Sequence, residues 1–183
     1  MTPNEPSTKS IGSGGGRGAS DALCQEWYRD HGSAVYGFFR FHVASPDLAE
    51  DLTAETFLKL LRSQARYDET RGSGRTWIFT IARNVLIDHR RRARVRPYVP
   101  IGNLRDLEFD APSAEERLLR EEEVARLLNA VASLPAADRE LIGLRYGSDL
   151  DTAEIAQVLE IREGAVRTRI WRALARLRAE LDE

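Results

Sequence analysis

The side chains between Tyr67 and Arg96 are of the kind that hold a polyanion. From Arg71 to Arg96 the chain carries eight arginines and a single acid, Asp88. At helical spacing, Trp77, Ile78, Ile81, Ala82, Val85 and Leu86 form one apolar stripe. Thr80, Arg83, Asn84, Ile87, Asp88 and Arg91 lie on the opposite face. A helix buried on one side and rich in guanidinium on the other suits nucleic acid, whose phosphates it neutralises. The alternative is a solvated charged face. Two aromatic residues, Tyr67 and Trp77, flank the loop Arg71-Gly72-Ser73-Gly74-Arg75. Stacking surfaces interleaved with arginines are what unpaired bases need, although Trp77 also lies on the apolar stripe and so reads as a core residue.

A second set of basic residues lies near the C-terminus. Asp151-Thr152-Ala153-Glu154 is a capping signature that opens the short helix Ile155–Leu159. A turn and a longer helix from Ala165 to about Leu181 follow. Ala156 is small enough for two helices to cross, and Ile161 and Val166 fill the space between them. The pattern is that of a helix-turn-helix, whose second helix presents its N-terminal residues to the major groove. Arg162, Glu163, Arg167 and Thr168 stand there, and Arg169, Arg172 and Arg176 continue the charge.

The chain has 183 residues and a formal net charge of −2, enough for one domain or two small ones. The near-neutral total hides an asymmetry. Segments 71–96 and 162–178 are basic, while 106–123 is acidic. The one cysteine, Cys24, fits a reducing cytoplasm. No apolar run is long enough to span a membrane, and no signal peptide is visible. The chain itself is thus expected to make no membrane contact. Metal-dependent cleavage of nucleic acid needs clustered carboxylates or histidines. His31, His42 and His89 are scattered. Asp47, Glu50, Asp51 and Glu55 cluster on one helix without nitrogen ligands or a basic surface beside them. Neither a metal, nor a cofactor, nor enzymatic activity is expected.

The elements that position these residues read as helices throughout. The Gly- and Ser-rich stretch 1–20 is expected to be a disordered tail. A helix follows from about Asp21 to Val43, with Leu23, Trp27, Val35, Phe38 and Phe39 inward. Ser45-Pro46 starts the next, with Leu48, Leu52, Phe57, Leu60 and Leu61 on its buried side. The basic helix 76–92 closes an N-terminal domain, 21–94. Segment 95–112, broken by Pro97, Pro100 and Pro112, reads as an extended linker. Ser113-Ala114-Glu115-Glu116 is a capping box that opens a C-terminal domain, 113–183. Leu118, Leu119, Val124, Leu127, Leu128 and Val131 give its first helix an apolar face. Leu141, Ile142 and Leu144 point inward from the short helix after Pro135. The fold class is all-α: two small helical domains joined by an extended linker, the second containing the helix-turn-helix.

The stretch Gly74-Arg75-Thr76-Trp77-Ile78-Phe79-Thr80-Ile81-Ala82-Arg83-Asn84-Val85-Leu86-Ile87-Asp88-His89-Arg90-Arg91 resembles the promoter-melting segment of sigma-70 family sigma factors, most closely their small, two-domain extracytoplasmic-function group. Leu134-Pro135, then Asp138-Arg139-Glu140-Leu141-Ile142-Gly143-Leu144-Arg145-Tyr146 and the helix pair, resembles the C-terminal domain of the same group. The resemblance covers all but the first twenty residues or so and the linker. It implies a promoter-specificity subunit that binds core RNA polymerase and promoter DNA. Arg71, Arg75, Thr80, Arg83, Asn84, Asp88 and Arg91 would meet the minus-ten strand. Arg162, Glu163, Arg167, Thr168 and Arg172 would meet the minus-thirty-five element. Asp47, Glu50, Asp51 and Glu55 would face the polymerase, with a solvated helix N-terminus as the plainer alternative. The resemblance also implies possible control by an anti-sigma factor, and a linker that either sets spacing or threads a channel of the polymerase. Two positions depart from the family pattern. Glu160 stands where glycine is frequent, at a cost of about 1–2 kcal/mol if left-handed. Ala165 stands where threonine is frequent. The alternative function is a stand-alone helix-turn-helix repressor or activator, which the basic helix and aromatic loop argue against.

Overall fold

In the computed structural model the described residues are 15–95 and 114–181. Among them every regular element is helical. Three helices form the N-terminal half: α1 (Gly15–Arg40), α2 (Pro46–Ser63) and α3 (Gly74–Val95). Four form the C-terminal half: α4 (Ala114–Ser133), α5 (Ala136–Ile142), α6 (Thr152–Leu159) and α7 (Glu163–Leu181). Two short 3-10 turns, Gln64–Arg66 and Glu69–Arg71, join α2 to α3, and α5 runs on into a π-helical turn, Gly143–Gly147. The expected linker falls outside the described residues except for Val95, the last residue of α3. Ser113 of the expected capping box also falls outside them, as do Leu118 and Leu119 as side chains.

Helix α1 differs from expectation at both ends. It begins at Gly15, so residues 15–20, read as tail, are helical. Propagating a helix by a turn costs far less than nucleating one, which lets it run into poor helix formers. Its C-terminus comes early, at Arg40. There the Arg40 guanidinium folds forward and donates to the carbonyls of Val43 (3.3 Å) and Ala44 (2.9 Å), satisfying groups that the turn leaves over. Helix α2 starts as expected, with Ser45 Oγ accepting from the Leu48 amide at 3.2 Å and proline in the first turn.

The core of the N-terminal half is built by Val35, Phe38 and Phe39 of α1, Leu52, Phe57 and Leu60 of α2, and Ile78, Phe79, Ala82, Val85 and Leu86 of α3. Phe79 lies off the expected stripe yet is fully buried, edge-on to Phe38 at 6.2 Å. Thr53 and Thr56 are buried because each hydroxyl donates to the carbonyl four residues back, Ala49 (2.7 Å) and Leu52 (2.8 Å). Leu61 is 37% exposed, one residue off the Leu52–Phe57–Leu60 stripe. Leu127 of α4, also expected inside, is 40% exposed, while Ala130, Val131 and Leu134 pack with Ala173 and Leu177 of α7.

The two halves share a core. Leu141, Leu144, Leu150, Ile155, Val158 and Val166 belong to the same buried cluster as the phenylalanines of α1. At the centre of this joint two backbones touch. A Cβ at Gly37 would stand 2.1 Å from the Gly147 carbonyl oxygen, and one at Gly147 would stand 2.8 Å from the Gly37 oxygen. Only glycine at both positions lets α1 and the π-turn approach this closely.

Candidate nucleic-acid interface

Helix α3 carries most of the candidate residues, and its start is fixed locally. Ser73 Oγ accepts from the Thr76 amide at 3.2 Å, and the Thr76 hydroxyl donates back to the Ser73 carbonyl at 2.8 Å. Gly74 lets Trp27 lie against this first turn; a Cβ there would stand 3.0 Å from the indole. Trp27 in turn meets Tyr67 edge-on at 5.2 Å and Trp77 at 5.7 Å. Tyr67 and Trp77 lie 5.2 Å apart with 33° between their planes. Their rings, with Arg66, Asp68, Gly72, Ser73, Thr76 and Thr80, line a polar pocket of about 300 Å³. Gln157 and Glu160, from the end of α6, close its far side. Trp77 is thus both half-buried and part of a pocket wall, which the apolar stripe alone does not convey. Tyr67 has its hydroxyl pushed up from the usual phenol range, first by burial and then by Glu69 and Asp68.

The expected minus-ten residues do not form one surface. Asn84 and Arg91 are exposed, and Thr80 lines the pocket with its hydroxyl on the Thr76 carbonyl at 2.8 Å. Asp88 is braced by Lys59 of α2 at 3.2 Å and by Arg91 at 3.6 Å, so it serves α3 as an anchor. Arg75 and Arg83 point into the other half. Arg83 Nε donates to Glu140 of α5 at 2.9 Å. Arg75 Nη2 donates to the carbonyls of Ser148 (2.7 Å) and Asp149 (2.9 Å), and its Nη1 meets Glu154 at 3.4 Å. The Arg71 side chain lies outside the described residues.

In the C-terminal half the helix-turn-helix forms as read. Asp151 and Glu154 make a reciprocal capping box on α6. Glu160 closes α6 in the left-handed region, φ 54° and ψ 41°, and the Ile161 amide reaches back to the Ala156 carbonyl at 3.0 Å. Helix α7 starts at Glu163, two residues before the expected Ala165. Glu163 is half-buried: one carboxylate oxygen accepts from Thr152 Oγ1 at 2.9 Å and from Arg167 at 2.5 Å. It therefore ties α7 to α6 and orients Arg167. Arg162, Arg167, Thr168 and Arg172 are exposed. Trp171, not singled out by the sequence reading, is 71% exposed on the face of Thr168 and Arg172. A tryptophan three residues from one expected DNA-contacting side chain and beside another was the signal available. Arg176 is turned away, paired with Asp138 of α5.

On α2, Asp47, Glu50 and Asp51 are exposed and share their face with Ala54 and Leu58, which is 53% exposed. Glu55 faces elsewhere. It pairs with Lys59 at 3.1 Å and with Arg92 of α3 at 3.3 Å, which makes it part of the α2–α3 packing. Among the described residues no group of three or more His, Cys, Asp or Glu is placed to hold a metal ion. No described helix is long and apolar enough to cross a membrane.

Comparison with known proteins bears on this arrangement. Residues 27–96 match the model of Sigma-70 region 2, and residues 124–177 that of Sigma-70, region 4. The chain is 31% identical over 169 residues to the ECF RNA polymerase sigma factor SigL of Mycobacterium tuberculosis, covering 92% of this chain and 94% of that one. It is 35% identical over 150 residues to the ECF RNA polymerase sigma factor BldN of Streptomyces coelicolor, covering 82% of this chain but 57% of that longer protein. The fold is similar to that of the sigma factor RpoE from Bartonella quintana, solved with the anti-sigma factor NepR, at a TM-score of 0.69 and 22% identity over 88% of this chain and 98% of that one. Two matched regions and a full-length relative place the chain in the sigma-70 family, among the extracytoplasmic-function RNA polymerase sigma factors.

Proposed function

We propose that the chain binds core RNA polymerase through the α2 face of Asp47, Glu50 and Asp51, reads the minus-thirty-five element with α7, and captures an unpaired minus-ten base in the Tyr67–Trp77 pocket. The observation that carries this reading is the part of the pocket built by the N-terminal half alone: the Tyr67 and Trp77 rings with the hydrogen-bonding groups of Asp68, Ser73, Thr76 and Thr80, a set that stays together when Gln157 and Glu160 leave with the other half. Stacking contributes roughly 1–3 kcal/mol per base, enough to favour an extruded over a paired base. Asn84 and Arg91 lie exposed along the same helix to hold the neighbouring strand. On α7, Arg167 is aimed at base edges by Glu163, Trp171 offers an apolar surface to a thymine methyl, and Arg172 takes a phosphate.

Arg75 and Arg83 join the DNA surface only after the halves part, because both are held across the joint. Opening on the polymerase is therefore part of the reading. The chain itself performs no catalysis and works in the cytoplasm beside the polymerase. An anti-sigma factor is the kind of inhibitor that suits a factor with two separable halves, and the Bartonella protein was solved with one.

The test reconstitutes the chain with core polymerase on a cognate promoter. Asn84→Ala should reduce permanganate reactivity of the minus-ten thymines and spare closed-complex formation. Melting that survives substitution of both Arg83 and Asn84 would remove the placement. A footprint of normal strength without polymerase would favour the stand-alone repressor.

A further inference from the structure

One half-buried titratable group has no part in this reading. His42 follows the end of α1 and stands between the halves. Its Nδ1 lies 3.1 Å from Arg90 Nη2 of α3. A guanidinium can only donate, so Nδ1 accepts and the neutral ring carries its proton on Nε2. That Nε2 is buried and has no hydrogen-bond partner among the described residues. It faces the other half: a Cβ at Gly143 would stand 2.9 Å from it. Phe38 closes one side of the ring, edge-on at 4.6 Å.

The charges around this ring are one-sided. Arg90 faces it from α3 and Arg139 from α5, and Arg40 lies behind it on its own element, turned to the Val43 and Ala44 carbonyls. From the π-turn, Gly143 lies against it. The carboxylate on this side of the joint, Glu140, is already taken by Arg83 at 2.9 Å. A second proton on the ring would land on Nδ1, against the Arg90 donor, and Nε2–H has no acceptor among the described residues.

We propose that His42 makes the closed joint acid-labile: protonation of its ring is compatible only with separated halves, so falling pH frees the DNA-reading surfaces of the chain. Burial first, then Arg90 and Arg139, hold the ring well below the ordinary histidine range while the joint is closed. Separation returns it to water, where it titrates near about 6.5. Above that value the ring is neutral in both states and closure does not depend on pH. Below it the open state takes up a proton that the closed state refuses. The closed-to-open ratio then falls by up to about tenfold per pH unit, until the depressed closed-state range is reached. His31 stands at the opposite end of the joint. It too is lowered, first by burial and then by Arg75, but Asp30 and Glu154 oppose the shift.

The experiment needs no polymerase, so it fails or succeeds independently of the promoter reading. Full-length chain with Cys24→Ala, Arg62→Cys and Glu180→Cys is labelled with a donor and an acceptor dye, and energy transfer is followed from pH 8 to 5.5 with helicity monitored. The closed-to-open ratio read from the transfer should fall several-fold in acid while helicity holds. His42→Asn, which keeps an acceptor for Arg90 but cannot be protonated, should remove most of this response. His31→Asn and His89→Asn should keep it. A response that persists in His42→Asn, that is lost instead in His31→Asn, or that follows loss of helicity overturns the proposal. Histidine ring NMR gives a second reading that does not depend on the His42 variant. His42 should titrate at lower pH in the parent chain than in Gly37→Ala, where the backbone contact is blocked; equal midpoints overturn it.

Discussion

Replacing Glu140 by glutamine tests how much the ionic contacts hold the halves together. The carboxylate is 13% exposed and receives Arg83 Nε at 2.9 Å, while the arginine is 31% exposed. A hydrogen bond between charged groups contributes roughly 1.5–3 kcal/mol when buried. Arg83 is near one-third exposed and regains water on opening, which lowers the figure to about 1–2 kcal/mol. Glutamine keeps an oxygen to accept from Arg83 Nε and removes only the charge, about half of this, so the closed-to-open ratio should drop roughly 2- to 5-fold in Glu140→Gln. The same dye pair on the free chain reads this ratio. Raising salt toward about 1 M shortens the screening length from roughly 10 Å to 3 Å and should open the parent chain more than the variant. The charge swap Arg83→Glu with Glu140→Arg should recover part of the closure that either single change loses. An unchanged ratio in Glu140→Gln with normal helicity would refute this account and leave the joint to apolar packing and the Arg75 contacts.

Three further outcomes are expected. Gly37→Ala places a methyl group 2.1 Å from the Gly147 oxygen, backbone that cannot swing aside, so the free chain should expand in solution scattering while the helical signal persists. Glu160→Gly relieves a left-handed side chain at φ 54° and should raise stability by about 0.5–1 kcal/mol net of the added chain entropy, read as a melting shift of about 1–4 °C. Arg172→Ala removes an exposed cation from α7 and should lower the salt slope of holoenzyme binding by about 1 without altering base preference; a changed preference at one base pair would move Arg172 to direct readout.

Helix type and the apolar stripe of α3 were legible because burial repeats at 3.6 residues and capping residues mark the starts. Ser45, Asp151 and Glu154 act as their types require. The inward phenylalanines of α1 and the Leu141–Leu144 pair were equally plain. What the pattern could not carry was the pairing of the halves. Arg83 and Glu140 are 57 residues apart, and Arg75 and Glu154 are 79 apart. No local periodicity connects them, and a charged side chain on a helix surface looks solvated whatever later covers it. The same limit hid Glu55, which reads as a free acid beside Asp51 but is held by Arg92 from another helix. Glycine at 37 and at 147 gave no hint that one explained the other, since the contact is backbone to backbone.

Glu154 shows how the joint reaches into a helix start. The same Oε2 atom accepts the Asp151 amide at 2.9 Å and faces Arg75 at 3.4 Å. The fraying of α6 is thereby linked to an arginine of the other half, 79 residues away in sequence. When the halves part, the carboxylate keeps its cap but loses the cation that steadied it. The amides of Asp151 and Glu154 then sit in a looser first turn. Their hydrogen exchange becomes a built-in clock for opening, one that needs no dye and can be read on the unaltered chain.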